Sequence, residues 1–170
     1  MRSLNVLLVV VMGLFSTPLL AETKIGVVDL AAVIFRSDIA QKRLQELQKG
    51  AEFSKLQAKY ESTAADIKAL QKDAEGKSMT WSDDQKVEFQ KKMEYLRAEM
   101  NLTVGKLESE SNAVQNSLIK DLQPKALEAL QEMMTQEGIS VIIRKEAAVI
   151  YKPELDITAK LTERLNSKTK

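Results

Sequence analysis

Neither cysteine nor histidine occurs in the chain, and aromatic residues make up only 5% of it, with 6 Gly and 3 Pro. Without thiol or imidazole there is no disulfide, no zinc site of the usual donors, no Cys-His or Ser-His nucleophile and no His-ligated haem. Carboxylates, Ser and Lys remain as chemical groups, but no paired constellation of them stands out, so the sequence does not read as an enzyme and implies no cofactor or metal. A G-x-x-x-x-G-K-[ST] phosphate loop is missing too. A surplus of one charge is also lacking, since 25 Lys and Arg face 24 Asp and Glu. A protein that lives on phosphate contacts needs clustered excess cations, which excludes nucleic acid as the expected partner. Lys91-Lys92 and Arg144-Lys145 are answered by Glu88, Glu94 and Glu146 and read as solvated faces.

What the chain does have is Ala, Glu, Gln, Lys and Leu in quantity, the composition of long helices. Before them, Arg2 precedes the apolar run Val6 to Phe15, then Pro18 and Leu19-Leu20-Ala21. That order reads as a signal peptide over residues 1–21, cleaved near Ala21, because its apolar core is well short of the roughly 20 residues that span a bilayer. The mature protein is then expected outside the cytoplasm, with Arg2 removed and its basic and acidic side chains equal in number.

Lys24-Ile-Gly-Val-Val-Asp29 is a β-branched run suited to a buried strand. From Ser37 or Asp38, either able to cap, apolar residues recur at threes and fours from Ala40 to Ala74, predicting one helix of about 35 residues. Gly76 is placed to end it by taking positive φ. Ser82-Asp83-Asp84-Gln85 then forms a capping box with two acids at the positive end of the helix dipole, a reading that leaves Asp83 and Asp84 no metal or acid-base role. The stripe Phe89, Met93, Leu96, Met100, Val104, Leu107 continues to Leu122, so two long helices run antiparallel. Pro124 predicts a kink or restart, and Gly138 a stop. Ile139–Ile143 and Ala148–Tyr151 read as a β-hairpin, and Asp156 as the cap of a last amphipathic helix. Asn101-Leu-Thr103 matches a glycosylation acceptor, but it falls in mid-helix and reads as chance.

Three short strands and one helix fall below what sustains an independent core without disulfides or metal. Self-association is the simplest remedy, with Ile25, Val27, Val28, Val141, Ile142, Ile143, Val149 and Ile150 forming a shared oligomeric core and sheet edges pairing between chains. The fold class is α+β: a β-rich oligomerisation body from 22–40 and 121–170, and a long antiparallel helical hairpin over 41–120 with its tip near 75–82.

The leader, the Lys24–Asp29 strand, the helical hairpin, Gly138-Ile-Ser-Val-Ile-Ile, Ala148-Val-Ile-Tyr151 and Asp156-Ile-Thr-Ala-Lys-Leu together resemble the Skp/OmpH family of periplasmic chaperones. The resemblance covers essentially the whole mature chain, and the two terminal motifs carry most of its specificity. It implies a homotrimer with a small β-barrel body completed by trimerisation and coiled-coil arms around a cavity. Unfolded outer-membrane proteins would be held there, in the periplasm and without ATP, before membrane insertion. Members of that family are often basic, whereas residues 41–120 here carry 14 basic and 13 acidic side chains. Electrostatic capture is weakened accordingly, and with no distinct basic cluster, contact of the arm tips with membrane or lipopolysaccharide stays an open alternative.

A holdase needs adaptable apolar surface rather than a shaped pocket, and the flexible thioether of Met suits that. Met79 and Trp81 at the tip, Met93 and Met100 on the second arm helix, and Phe53 and Tyr60 on the first are the candidate client-binding residues. Each has a plainer role as well: seam packing for Met93, Met100, Phe53 and Tyr60, and a helix-start staple for Trp81. A structural coiled-coil adaptor or spacer of the envelope is the competing function, since helical periodicity alone permits it.

Overall fold

The computed structural model describes residues 23–170, so the leader read over 1–21 lies outside the described residues. The chain is mostly helical, with one small sheet. Strand β1 (Lys24–Val28) leads into a short helix α1 (Leu30–Phe35), then α2 (Asp38–Lys49) and α3 (Ala51–Lys77). A single 3₁₀ turn at Ser78–Thr80 reverses the chain into α4 (Asp83–Glu137), followed by β2 (Ile139–Arg144) and, after two more 3₁₀ turns, α5 (Thr158–Lys168).

Four sequence expectations are corrected. The first long helix is broken at Gly50, whose ψ of 139° is extended, and Ser54 Oγ reaches back to accept the break by donating to the Gln48 carbonyl at 3.2 Å. Gly76 stays helical with the rest of α3, and the turn is made by the next residues, with Thr80 Oγ1 donating to the Lys77 carbonyl at 2.9 Å. Pro124 does not restart a helix: α4 runs through it for 55 residues, or roughly 80 Å. The lost backbone bond is outweighed because Leu118, Leu122, Ala126, Ala129 and Leu130 flank it and are all buried. The hairpin of Ile139–Ile143 with Ala148–Tyr151 does not form. Instead β2 pairs in parallel with β1, Ile25 opposite Val141 and Val27 opposite Ile143, and residues 148–151 are irregular.

Parallel pairing brings the two ends of the described chain together, because everything between the strands must leave the body and return. On the far side of β1, the Ile157 amide donates to the Val27 carbonyl at 2.9 Å. Ile157 packs close over β1, where a Cβ on Gly26 would lie 3.0 Å from its Cδ1 and oblige that side chain to shift. The body core is Val28, Val33, Ala129, Met133, Leu161 and Leu165 with their neighbours, drawn from β1, α1, α4 and α5. A second cluster of Ile34, Ala40, Leu118 and Leu122 lies where the arm leaves the body.

Local chemistry fixes most of the element ends as read. Asp29 Oδ1 accepts from the Ala32 amide at 2.8 Å and caps α1, a helix the periodicity did not disclose because six residues are under two turns. Ser37 caps α2, the capping box of Ser82 and Gln85 is complete, and Gly138 closes α4 at φ 64°. At α5 the cap position falls to Ile157, without a side-chain cap, one residue past the expected Asp156, whose Oδ1 accepts from the Thr158 amide at 2.9 Å just ahead of the helix.

Candidate functional site

The arm is α3 packed antiparallel on α4, and its seam is thin. Leu56, Thr63, Met93, Leu96 and Thr103 are its buried residues, with Lys59 Nζ on Glu99 Oε1 at 2.8 Å bracing one side. The Glu99 carboxylate raises the Lys59 ammonium above its ordinary value, chiefly through their hydrogen bond. Of the sequence candidates, Met93 is buried in the seam, while Phe53 and Met100 are half-buried beside it and Tyr60 is exposed. Trp81 lies against Phe89, ring centroids 5.1 Å apart and planes at 48°, as a staple over the start of α4. Met79 is 99% exposed.

Sequence reasoning missed a second apolar stripe. Val87, Tyr95 and Leu102 are exposed on α4. At 100° per residue they share an arc of about 80°, well away from the seam positions Met93, Leu96 and Met100. Their spacing of eight and seven residues was the available signal, hidden because the seam stripe has the same period. Two open grooves accompany these surfaces. One of about 540 Å³ is lined by Phe89, Met93, Ala98, Gln71, Arg97 and Asn101. The other, about 420 Å³ at the arm base, is lined by Leu47, Val114, Ala113, Arg43, Glu46 and Ser117. Such surfaces suit many weak apolar contacts better than one shaped ligand.

In the body, Val27 and Val28 are already covered within one chain, 2% and 1% exposed. Ile142 and Ile143 are half-buried, and Ile142 packs on the body core. Ile25 and Val141 are exposed on the sheet, and Val149 and Ile150 are 102% and 91% exposed. What holds that last pair out is a clasp at the base of their loop. Tyr151 Oη donates to Asp156 Oδ2 at 3.1 Å, and Lys145 Nζ approaches the same oxygen at 3.6 Å. The Thr158 side chain foremost, then Tyr151 and Lys145, hold the Asp156 carboxyl below its ordinary value. A loop tied shut at 145 and 156 thus projects two β-branched side chains into water, an arrangement that costs apolar hydration and gains nothing within one chain. Among the described residues no group of three or more acidic side chains is disposed to hold a metal ion, and no helix is long and apolar enough to cross a membrane.

A helical arm with shallow grooves thus stands on a body that displays an exposed apolar loop. The chain belongs to the outer membrane protein (OmpH-like) family, whose pattern covers residues 24–165. It is also 28% identical over 148 residues, 86% of each chain, to the Skp-like protein of Pseudomonas aeruginosa. The resemblance carried by the terminal motifs is therefore borne out, and at the level of the family the function is that of a periplasmic chaperone for outer-membrane proteins.

Proposed function

We propose that this chain is an ATP-independent holdase that traps unfolded outer-membrane proteins between the arms of a homotrimer in the periplasm, after export and cleavage near Ala21. The observation that carries this reading is the projecting pair Val149 and Ile150, an exposed apolar surface that contact with further copies would cover. In the trimer these residues, with Ile25 and Val141 and the outer faces of Ile142 and Ile143, complete the β-barrel, while Val27 and Val28 support it from within each chain. The body takes residues 22–40 and 121–170 and the arm 41–120. Inside the chamber, Tyr60, Phe53, Met100 and the stripe Val87, Tyr95, Leu102 supply contacts of about 0.5–1 kcal/mol each, summed by enclosure, so no single one is indispensable. Met93 serves the seam, and release follows competition by a better site.

The test is light scattering on the mature protein, alone and with a β-barrel outer-membrane protein diluted from urea in the absence of nucleotide. A monodisperse trimer that keeps the client in solution is the expected result. A monomer, or a client that precipitates as fast as without the protein, refutes the proposal and leaves the structural adaptor as the better reading.

A further inference from the structure

The arm tip carries a charge pattern that the near-neutral arm conceals. Between residues 73 and 88 there are five acidic side chains and two lysines. Both lysines are already engaged, Lys77 with Asp73 at 2.6 Å and Lys86 with Asp83 at 3.2 Å. Glu75, Asp84 and Glu88 make no ion pair among the described residues, whereas both lysines between 73 and 88 do. Lys72, Lys91 and Lys92 flank this cap on the shaft. Between the helix ends lies a groove of about 220 Å³ with Leu70, Trp81 and Phe89 as its apolar walls. Asp73 and Glu88 line it as acids and Lys92 as its one cation. Met79 stands beside it fully exposed, with Val87 half so.

An indole face next to carboxylates is the chemistry that receives an ammonium or guanidinium group: the ring quadrupole and the anions attract the same charge, and the apolar walls take the alkyl stem. We propose that the arm tip is a docking site for a cationic, partly apolar polypeptide segment, with Lys or Arg side chains of the partner seated over Trp81 and facing Glu88. The same carboxylates repel an anionic lipid surface, so membrane or lipopolysaccharide contact at the tips is the disfavoured occupant. This site goes beyond the holdase reading and does not depend on it, since it is complete within one arm.

Trp81 is the sole tryptophan, so intrinsic fluorescence reports the site directly on the full mature protein. Three probes are titrated: a twelve-residue peptide with four Lys and two Leu among Ser and Gly, its counterpart with Glu for Lys, and vesicles of phosphatidylcholine and phosphatidylglycerol at three to one. The lysine peptide should shift Trp81 emission and saturate at a concentration about tenfold below any response to the glutamate peptide, with most of the effect lost in 0.5 M salt. The surface variant Glu75→Gln, Asp84→Asn, Glu88→Gln should weaken the lysine peptide about tenfold while leaving the helical circular-dichroism signal in place. Met79→Ser is a second variant that weakens the apolar part alone. Equal responses to both peptides, no response to the lysine peptide, an unchanged triple variant, or a shift with the anionic vesicles instead would each overturn the proposal. Client protection in the light-scattering assay is a separate readout, so failure of either idea is recognised without the other.

Discussion

Glu137 shows how much one side chain does at the junction of the body. Lys160 Nζ meets its Oε1 at 2.7 Å, Arg164 Nη2 the same oxygen at 3.3 Å, and Lys24 Nζ donates to its carbonyl at 3.1 Å. These contacts tie α4, β1 and α5 together at one point. Chiefly through the Lys160 hydrogen bond, the carboxyl is held below its ordinary value of 4.5. A lowered folded value means that the stabilisation is complete above the unfolded glutamate value and is lost as pH falls through it toward the folded one. Glu137→Gln is therefore expected to cost about 1–2 kcal/mol at pH 7, measured by urea unfolding, and the gap from the parent protein should narrow as the pH is brought below 4.5. A gap that stays constant with pH would place the effect in packing rather than in the charge. None of this cluster was legible in the sequence, because Lys24 lies 113 residues from Glu137 and Arg164 27 residues from it, and they meet only once β1 and α5 pack against the end of α4.

At the scale of elements, the ends were readable and the interiors were not. Ser37, the Ser82 to Gln85 box and Gly138 act through groups within four residues of themselves, so local sequence suffices to identify them. Gly138 offers a direct check. Its φ is 64°, and a Cβ there would meet nothing within 4 Å, so Gly138→Ala should cost about 1 kcal/mol from backbone conformation alone. Gly138→Asn should recover part of that loss in the same denaturation series, whereas a steric origin would make Asn worse than Ala. Gly50 and Pro124 went the other way. Whether a glycine breaks a helix or a proline is carried through one depends on what the flanking turns bury, and Leu118, Leu122 and Ala126 decide it at Pro124. The strand partner was misread for a similar reason: Ala148–Tyr151 has strand composition, but in the single chain β1 takes β2 as its neighbour and the clasp at Asp156 holds the later segment away from both.

For the whole molecule, the decisive comparison is between an isoleucine of β2 and one of the projecting loop that follows it. Ile142 packs on the body core, so Ile142→Asp is expected to unfold the chain rather than merely part the copies. Ile150 is 91% exposed, so Ile150→Asp should preserve the helical signal while converting the assembly to single chains in sedimentation velocity. An Ile150→Asp protein that still sediments as the parent does would remove the projecting loop from the interface. Among the candidate client residues the same division holds. A staple by Trp81 over the start of α4 was suggested by the sequence, and the structure supplies Phe89 as its partner. The exposed face of Tyr95 and Leu102 emerged only once the seam was fixed.

By itself the sequence determined the family and the arm: two long antiparallel helices, and a pattern over residues 24–165 that matches the OmpH-like family. Those properties depend on composition and on interactions within a few residues. Tertiary structure decided which strand pairs with which, which apolar side chains are used up inside one chain, and which are left facing outward. That division follows from burial being a property of the packed whole, in which two valines of one strand disappear into the core while a valine and an isoleucine, held out on a clasped loop, remain wet.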